Sequence, residues 1–118
     1  MGRHELLQRM KEMLADAFGE RLRGVVLYGS EARGDARADS DIDVLALLEG
    51  PVAFGDDLAT CIDALYPLVL ELGRPIDVYP VDAEAYERQE FTIYRHAKRE
   101  GIVRAVADES PDVLTGLD

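Results

Sequence analysis

The sequence has a single cysteine, no tryptophan and far fewer basic than acidic residues. The lone cysteine, Cys61, excludes an internal disulfide bond and indicates a reducing, cytoplasmic compartment. No apolar run approaches the roughly 20 residues that span a bilayer, and the charged, amphipathic N-terminus is unlike a signal peptide. With 13 Lys and Arg against 24 Asp and Glu, the net charge of −11 argues against direct nucleic-acid binding, which needs a basic surface. We therefore expect no membrane and no nucleic-acid contact.

The composition that remains is ordinary for one small folded domain. The chain has 118 residues, of which 47% are hydrophobic and 31% charged. We expect a domain over residues 1–107 and a flexible tail over residues 108–118, which are rich in Asp, Ser, Pro and Gly. The acidic excess is compatible with a basic protein partner, although such an excess often only increases solubility.

Apolar periodicity predicts alternating helices and strands, and thus an α/β chain. The expected helices cover about residues 4–18, 55–66 and 84–100, and the expected strands cover residues 24–28, 41–48 and 76–81. Pro67 is expected to kink or end the second helix, and whether residues 68–72 add another helical turn stays open. Pro80 predicts that the third strand lies near an edge of the sheet.

The most informative pattern is Gly29-Ser30, then ten residues, then Asp41-Ile42-Asp43. Side chains alternate across a strand, so Asp41 and Asp43 point to the same face. Two carboxylates near a tight glycine turn are suited to hold a divalent cation against a nucleoside triphosphate. In a purely structural interpretation, Gly29 only turns the chain, Ser30 only caps a short helix, and the two aspartates are solvated loop residues.

A third carboxylate, Asp77, interrupts the apolar third strand. An unpaired charge at a half-buried strand position is costly, so a cation or strong donor should lie near it. If the third strand lies beside the second, Asp77 joins Asp41 and Asp43, and their mutual repulsion calls for a divalent cation such as Mg²⁺. Alternatively, Asp77 pairs with Arg74 on the surface.

Other residues with possible chemistry have simpler interpretations. His4 and His96 have no neighbours at metal-ligand spacing, so we expect both on the surface. Cys61 lies on the apolar face of its helix and is expected in the core. Tyr94 and Phe91 are expected to pack the last helix onto the sheet, and a base-stacking role for Tyr94 stays open.

The combined motif resembles the polymerase-beta-type nucleotidyltransferase superfamily, and within it the minimal nucleotidyltransferases (MNT proteins). The resemblance rests on the spacing between Gly29-Ser30 and Asp41-Ile42-Asp43. It extends to the flanking segment 32–34, to the segment 73–77 that carries the third carboxylate, and to a late helix leading into residues 99–103. It covers most of residues 5–104. The implied fold is a small mixed sheet of three to four strands flanked by helices.

The resemblance also implies a metal-dependent reaction. Asp41 and Asp43 would ligate Mg²⁺, and Asp77 would either ligate a second metal or act as a base for the acceptor hydroxyl. Gly29 and Ser30 would hold the β- and γ-phosphates of ATP.

Arg33 is equally compatible with a phosphate contact and with a solvated surface position.

Minimal members of this family typically pair with HEPN proteins in toxin–antitoxin modules, where some transfer AMP to a tyrosine of the toxin. The resemblance therefore implies a HEPN-type toxin as partner, with a hetero-oligomer or homo-oligomer as the assembly. Two alternatives stay open. One is a nucleotidyltransferase that acts on a small-molecule acceptor, and the other is an antitoxin that blocks its partner by binding alone.

Overall fold

The computed structural model describes residues 1–106, which form five α-helices and four β-strands. The helices are α1 (Arg3–Phe18), α2 (Gly29–Arg33), α3 (Phe54–Leu72), α4 (Ala83–Glu87) and α5 (Thr92–Glu100). The strands are β1 (Leu22–Tyr28), β2 (Ile42–Leu48), β3 (Ile76–Asp82) and β4 (Ile102–Ala105). The tail predicted over residues 108–118 lies outside the described residues.

The strands form one mixed sheet in the order β3-β2-β1-β4. β1 is antiparallel to both β2 and β4, whereas β2 and β3 are parallel. The predicted small mixed sheet flanked by helices is confirmed. So is the expectation that the strand containing Pro80 lies at an edge, where a missing backbone N–H is tolerated.

Alternation along the strands divides the core between the two faces of the sheet. On one face, Val25 and Val44 pack with apolar residues of α1 and α3. On the other face, Val26 and Leu45 pack with Tyr86 of α4 and Ala97 of α5. β2 contributes to both cores because it is apolar on both sides beyond Asp43.

Cys61 is buried within the first core, as expected. Burial raises the pKa of its thiol to about 12.

α3 continues through Pro67 to Leu72, so Pro67 does not end this helix, and residues 68–72, left open by the sequence, are helical. A proline leaves the carbonyl four residues earlier without its helical partner, and here that carbonyl belongs to Asp63. Asp63 and Pro67 both lie on the exposed side of α3, where water can satisfy the carbonyl. Burial of Leu65 and Leu68 on the opposite side keeps the helix on the sheet.

The single helix expected over residues 84–100 is in fact two, α4 and α5. A turn separates them, with Gln89 in the left-handed region at φ 55°. The Asp82 side chain caps α4 by accepting from the backbone N–H groups of Glu84 and Ala85. The helix end predicted at Gly101 is confirmed, but β4, which follows it, was not foreseen as a strand.

None of the helices in residues 1–106 combines the length and apolar character that crossing a bilayer requires.

Candidate active site

The predicted glycine turn joins the end of β1 to the start of α2. Gly29 has φ +72°, a left-handed conformation that side chains rarely adopt. A Cβ atom at this position would also overlap the carboxylate of Asp43. Glycine is therefore required here by the backbone and by the neighbouring strand.

Strand pairing brings the predicted carboxylates to this turn. Tyr28, the last residue of β1, is the register partner of Asp43 in antiparallel β2. Asp43 is in turn the register partner of Asp77 in parallel β3. Asp41 lies just before β2, exposed to solvent. The turn and all three aspartates therefore lie at one end of the sheet.

At this end of the sheet, neighbouring carboxylates raise the pKa values of Asp43 and Asp77. Burial raises the pKa of Asp43, and repulsion from Asp77 and Asp41 raises it further. Burial and the neighbouring Asp41 raise the pKa of Asp77. Burial, together with the negative charge of Asp43, raises the pKa of Tyr28 to about 12. The concentrated negative charge is unfavourable unless a cation is present.

The carboxylate oxygens of Asp41, Asp43 and Asp77 are of the ligand type that a hard divalent cation such as Mg²⁺ prefers. The positions do not form a complete cage, because no three acidic, His or Cys side chains in residues 1–106 are grouped so as to hold a metal ion. Mg²⁺ is commonly held by one or two carboxylates together with substrate phosphates. The arrangement suits a cation that arrives with a nucleotide.

Arg33 lies at the C-terminal end of α2 with its side chain 50% exposed. Its nearest acidic partners are Asp35 at 3.5 Å and Glu100 at 3.9 Å. Its positive charge lowers the pKa of Asp43, against the stronger effects that raise it. Arg33 is thus both a surface residue and close enough to the carboxylates to influence them.

A cleft of about 470 Å³ opens beside the turn, between α2 and α5. Its walls are formed by Tyr28, Gly29, Arg33, Thr92, Ile93, His96 and Glu100. The sequence did not predict that α5 forms one wall of this cleft, because His96 belongs to no motif. His96 was expected on the surface, and it is exposed. Tyr94 packs against Tyr86 with ring centroids 6.0 Å apart, and it does not line this cleft.

A larger open cleft of about 760 Å³ lies at the opposite end of the sheet, far from the carboxylates. Its charged lining includes Arg23 and Arg88, which are already paired with Glu49 at 3.1 Å and Glu90 at 2.6 Å. We therefore place the candidate active site at the smaller cleft, because it adjoins the Gly29 turn and the end of the sheet where Asp43 and Asp77 lie.

Arg74 connects the separate parts of the candidate site. Its guanidinium donates to Glu31 in α2 at 2.6 Å and to the backbone carbonyl of Ser40 at 2.9 Å. Ser40 directly precedes Asp41, and Arg74 itself lies just before β3. Arg74 thus bonds to Glu31 and Ser40. The sequence left open an ion pair between Arg74 and Asp77, and no such pair is found among the described residues.

Comparison with known proteins gives a consistent result. The sequence matches the nucleotidyltransferase domain family over residues 5–109. A Methanocaldococcus jannaschii protein, provisionally named a protein adenylyltransferase, is 28% identical over 105 residues, covering 87% of this chain and 98% of that protein. A solved structure provisionally described as a minimal nucleotidyltransferase superposes with TM-score 0.54 at 27% identity, covering 86% of this chain and 95% of that one.

A crystal structure of a toxin–antitoxin with AMP-PNP shares the fold, with TM-score 0.60 at 18% identity. The superposition covers 93% of this chain and 79% of that one.

Proposed function

The chain belongs to the nucleotidyltransferase domain family, and from that premise we propose that it transfers AMP from ATP to a hydroxyl group of a partner protein. The observation that carries this proposal is the strand register that brings the Gly29 turn, Asp43 and Asp77 to one end of the sheet. A nucleotidyl transfer needs a phosphate-binding turn beside clustered carboxylates, and the closeness of the Gly29 turn to Asp43 and Asp77 supports this assignment.

In the proposed reaction, the acceptor oxygen forms a bond to the α-phosphorus of ATP. The bond from that phosphorus to the bridging oxygen of the β-phosphate breaks, and pyrophosphate leaves. Asp41 and Asp43 would hold Mg²⁺, which supplies charge neutralisation on the phosphate oxygens when bound. Asp77 would take the proton of the acceptor hydroxyl, or instead contribute to a second metal site.

The phosphates of ATP would lie against the turn. The backbone at Gly29 allows close approach because no side chain intervenes, and the hydroxyl of Ser30 can donate a hydrogen bond. Arg33 lines the adjoining cleft and would contribute a guanidinium to the phosphates.

We further propose that the acceptor is a tyrosine of a HEPN-type toxin and that the chain acts as the antitoxin. The provisional name of the relative from M. jannaschii and the toxin–antitoxin whose fold this chain shares support this assignment. The net charge of −11 also favours attraction to a basic protein.

The test is incubation of the protein with ATP, Mg²⁺ and a helical protein encoded by the adjacent gene, followed by mass spectrometry. Each AMP adds about 329 Da to the acceptor, since pyrophosphate is lost. The Asp41→Asn variant should add nothing although it can still bind. A partner that is inhibited without a mass increase would contradict transfer and favour inhibition by binding alone.

A further inference from the structure

A row of exposed and half-buried apolar side chains winds along the surface of α3. Phe54, Ile62, Tyr66 and Leu70 are each 50% to 64% exposed. Leu58 is half-buried and continues the same four-residue spacing. Residues four apart are neighbours on a helix, so these side chains form one ridge about 24 Å long. We call these five residues the α3 ridge.

The α3 ridge is not needed to attach α3 to the rest of the fold. The helix already buries Cys61, Leu65 and Leu68 in the core, whereas Ile62, Tyr66 and Leu70 lie outside this buried face. A surface helix normally has polar residues on its outer side, whereas α3 also exposes the large apolar side chains of Ile62, Tyr66 and Leu70 there. A contiguous exposed apolar ridge of this length indicates a contact with another molecule.

The charges beside the ridge have one sign. α3 contains Asp56, Asp57, Asp63 and Glu71 and has no lysine or arginine. Asp56 and Asp63 are exposed, and neither forms an ion pair within residues 1–106.

Two arginines reach α3 from other elements, but both are occupied. Arg9 bonds Glu71 at 2.6 Å, and Arg21 bonds Asp57 at 3.0 Å. The uncompensated charge along the ridge is therefore negative.

We propose that the α3 ridge docks against an amphipathic helix of a second protein, whose own apolar row is flanked by Lys and Arg. The i to i+4 spacing matches the commonest helix–helix packing, in which such ridges interdigitate at about −50°. A second copy of the chain fits less well. An isologous contact would bring Asp56 and Asp63 of one copy towards the same residues of the other, between molecules of charge −11.

This docking surface is separate from the candidate active site. Val44 and Val78 point into the core that α3 covers. Their neighbours Asp43 and Asp77 point to the other face of the sheet, because side chains alternate along a strand. A helix bound to the α3 ridge therefore leaves the carboxylates accessible.

The experiment uses two synthetic helical peptides of 20 residues, with leucine every fourth residue and either lysine or glutamate beside each leucine. We expect the lysine peptide to bind the full-length protein and the glutamate peptide not to bind, as measured by fluorescence anisotropy. NMR shift changes should fall on α3. The Ile62→Gln/Leu70→Gln and Asp56→Lys/Asp63→Lys variants should each weaken binding at least tenfold.

The matched control is Asp16→Lys/Glu20→Lys, which changes the net charge equally at exposed acidic residues outside α3. It should bind the lysine peptide like the unaltered protein. Equal loss in the control, or equal binding of both peptides, would overturn the proposal. A dimer in sedimentation that dissociates in Ile62→Gln/Leu70→Gln would also overturn it in favour of a second copy. The readout is binding alone, so its result is independent of nucleotidyl transfer.

Discussion

Two constraints coincide at Gly29. Its φ of +72° strains any other residue, and the space where a Cβ would lie is occupied by the Asp43 carboxylate. Gly73 has a similar φ of +67°, but nothing lies within 4 Å of its virtual Cβ. Comparing the same substitution at the two glycines therefore distinguishes the effect of backbone strain from the effect of contact with the Asp43 carboxylate.

We expect Gly73→Ala to lower the free energy of unfolding by about 1 kcal/mol through backbone strain alone. Gly29→Ala should cost more and should also displace Asp43, because the added methyl group overlaps that carboxylate. Urea unfolding measures the first effect, and calorimetry of Mg-ATP binding measures the second. If Gly29→Ala bound Mg-ATP as well as Gly73→Ala, the close approach at the turn would have no part in nucleotide binding.

Asp43 is expected to reduce stability in the absence of a cation. Burial and the charges of Asp77 and Asp41 raise its folded-state pKa. A raised carboxylate pKa favours folding below the unfolded-state pKa, and this contribution is lost as the pH rises through the folded-state value. Above its folded-state pKa, the ionised Asp43 carboxylate therefore destabilises the fold.

We accordingly expect Asp43→Asn to raise Tm at pH 7 in EDTA and to lose this advantage in acid, where the wild-type carboxylate is protonated. Added Mg²⁺ with ATP should stabilise the wild type more than the variant. Asp16→Asn, at an exposed position of α1, serves as the control and should leave Tm unchanged. A lower Tm for Asp43→Asn at pH 7 would show that this carboxylate stabilises the fold.

At the scale of elements, Arg74 links α2, the loop before β2 and the start of β3. Its ion pair with Glu31 is largely buried, at 15% and 14% side-chain exposure. Losing one partner of such a pair leaves the other desolvated without compensation. A surface pair such as Arg9–Glu71, at 34% and 52% exposure, contributes much less.

We expect Arg74→Gln to lower the free energy of unfolding by about 2 kcal/mol, and Arg9→Gln by about 0.5 kcal/mol or less. Arg74→Gln should also reduce kcat more than it raises KM, because it loosens the elements that carry Ser30 and Asp41. Urea unfolding and steady-state kinetics test the two parts. A double-mutant cycle with Glu31→Gln should show coupling, and independent effects would contradict the proposed link.

At the scale of the whole molecule, a net charge of −11 opposes the binding of a nucleotide that is itself strongly anionic. The repulsion is concentrated at the end of the sheet where Asp41, Asp43 and Asp77 lie. A divalent cation would reverse the sign of the local interaction.

ATP should therefore bind much more tightly with Mg²⁺ than with EDTA, by at least tenfold. Isothermal calorimetry measures both affinities. Asp41→Asn supplies the matched control, since removing one charge should weaken binding in Mg²⁺ while relieving repulsion in EDTA. Equal affinities of the wild type under both conditions would exclude the proposed metal site.

The sequence predicted the parts of this molecule that depend on neighbouring residues. Apolar periodicity located α1, the three longer strands and the position of Cys61, because these patterns repeat within a few residues. The prediction made from Pro67 was less reliable. Gly19 and Gly101 do end helices, but Pro67 lies inside α3, since packing of Leu65 and Leu68 outweighed a local preference.

The features of the candidate site also fall into those set by neighbouring residues and those set by tertiary packing. The sequence by itself determined which residue types occur together, namely the Gly29-Ser30 turn and the Asp41-Ile42-Asp43 pair, because their spacing is a property of the chain. Only the tertiary structure decided that β3 pairs with β2, which brings Asp77 to Asp43, that α5 forms a wall of the cleft, and that Arg74 bonds to Glu31. Each of these contacts joins residues distant along the chain, and strand order, register and helix packing arise from burial across the whole domain, which no local pattern encodes.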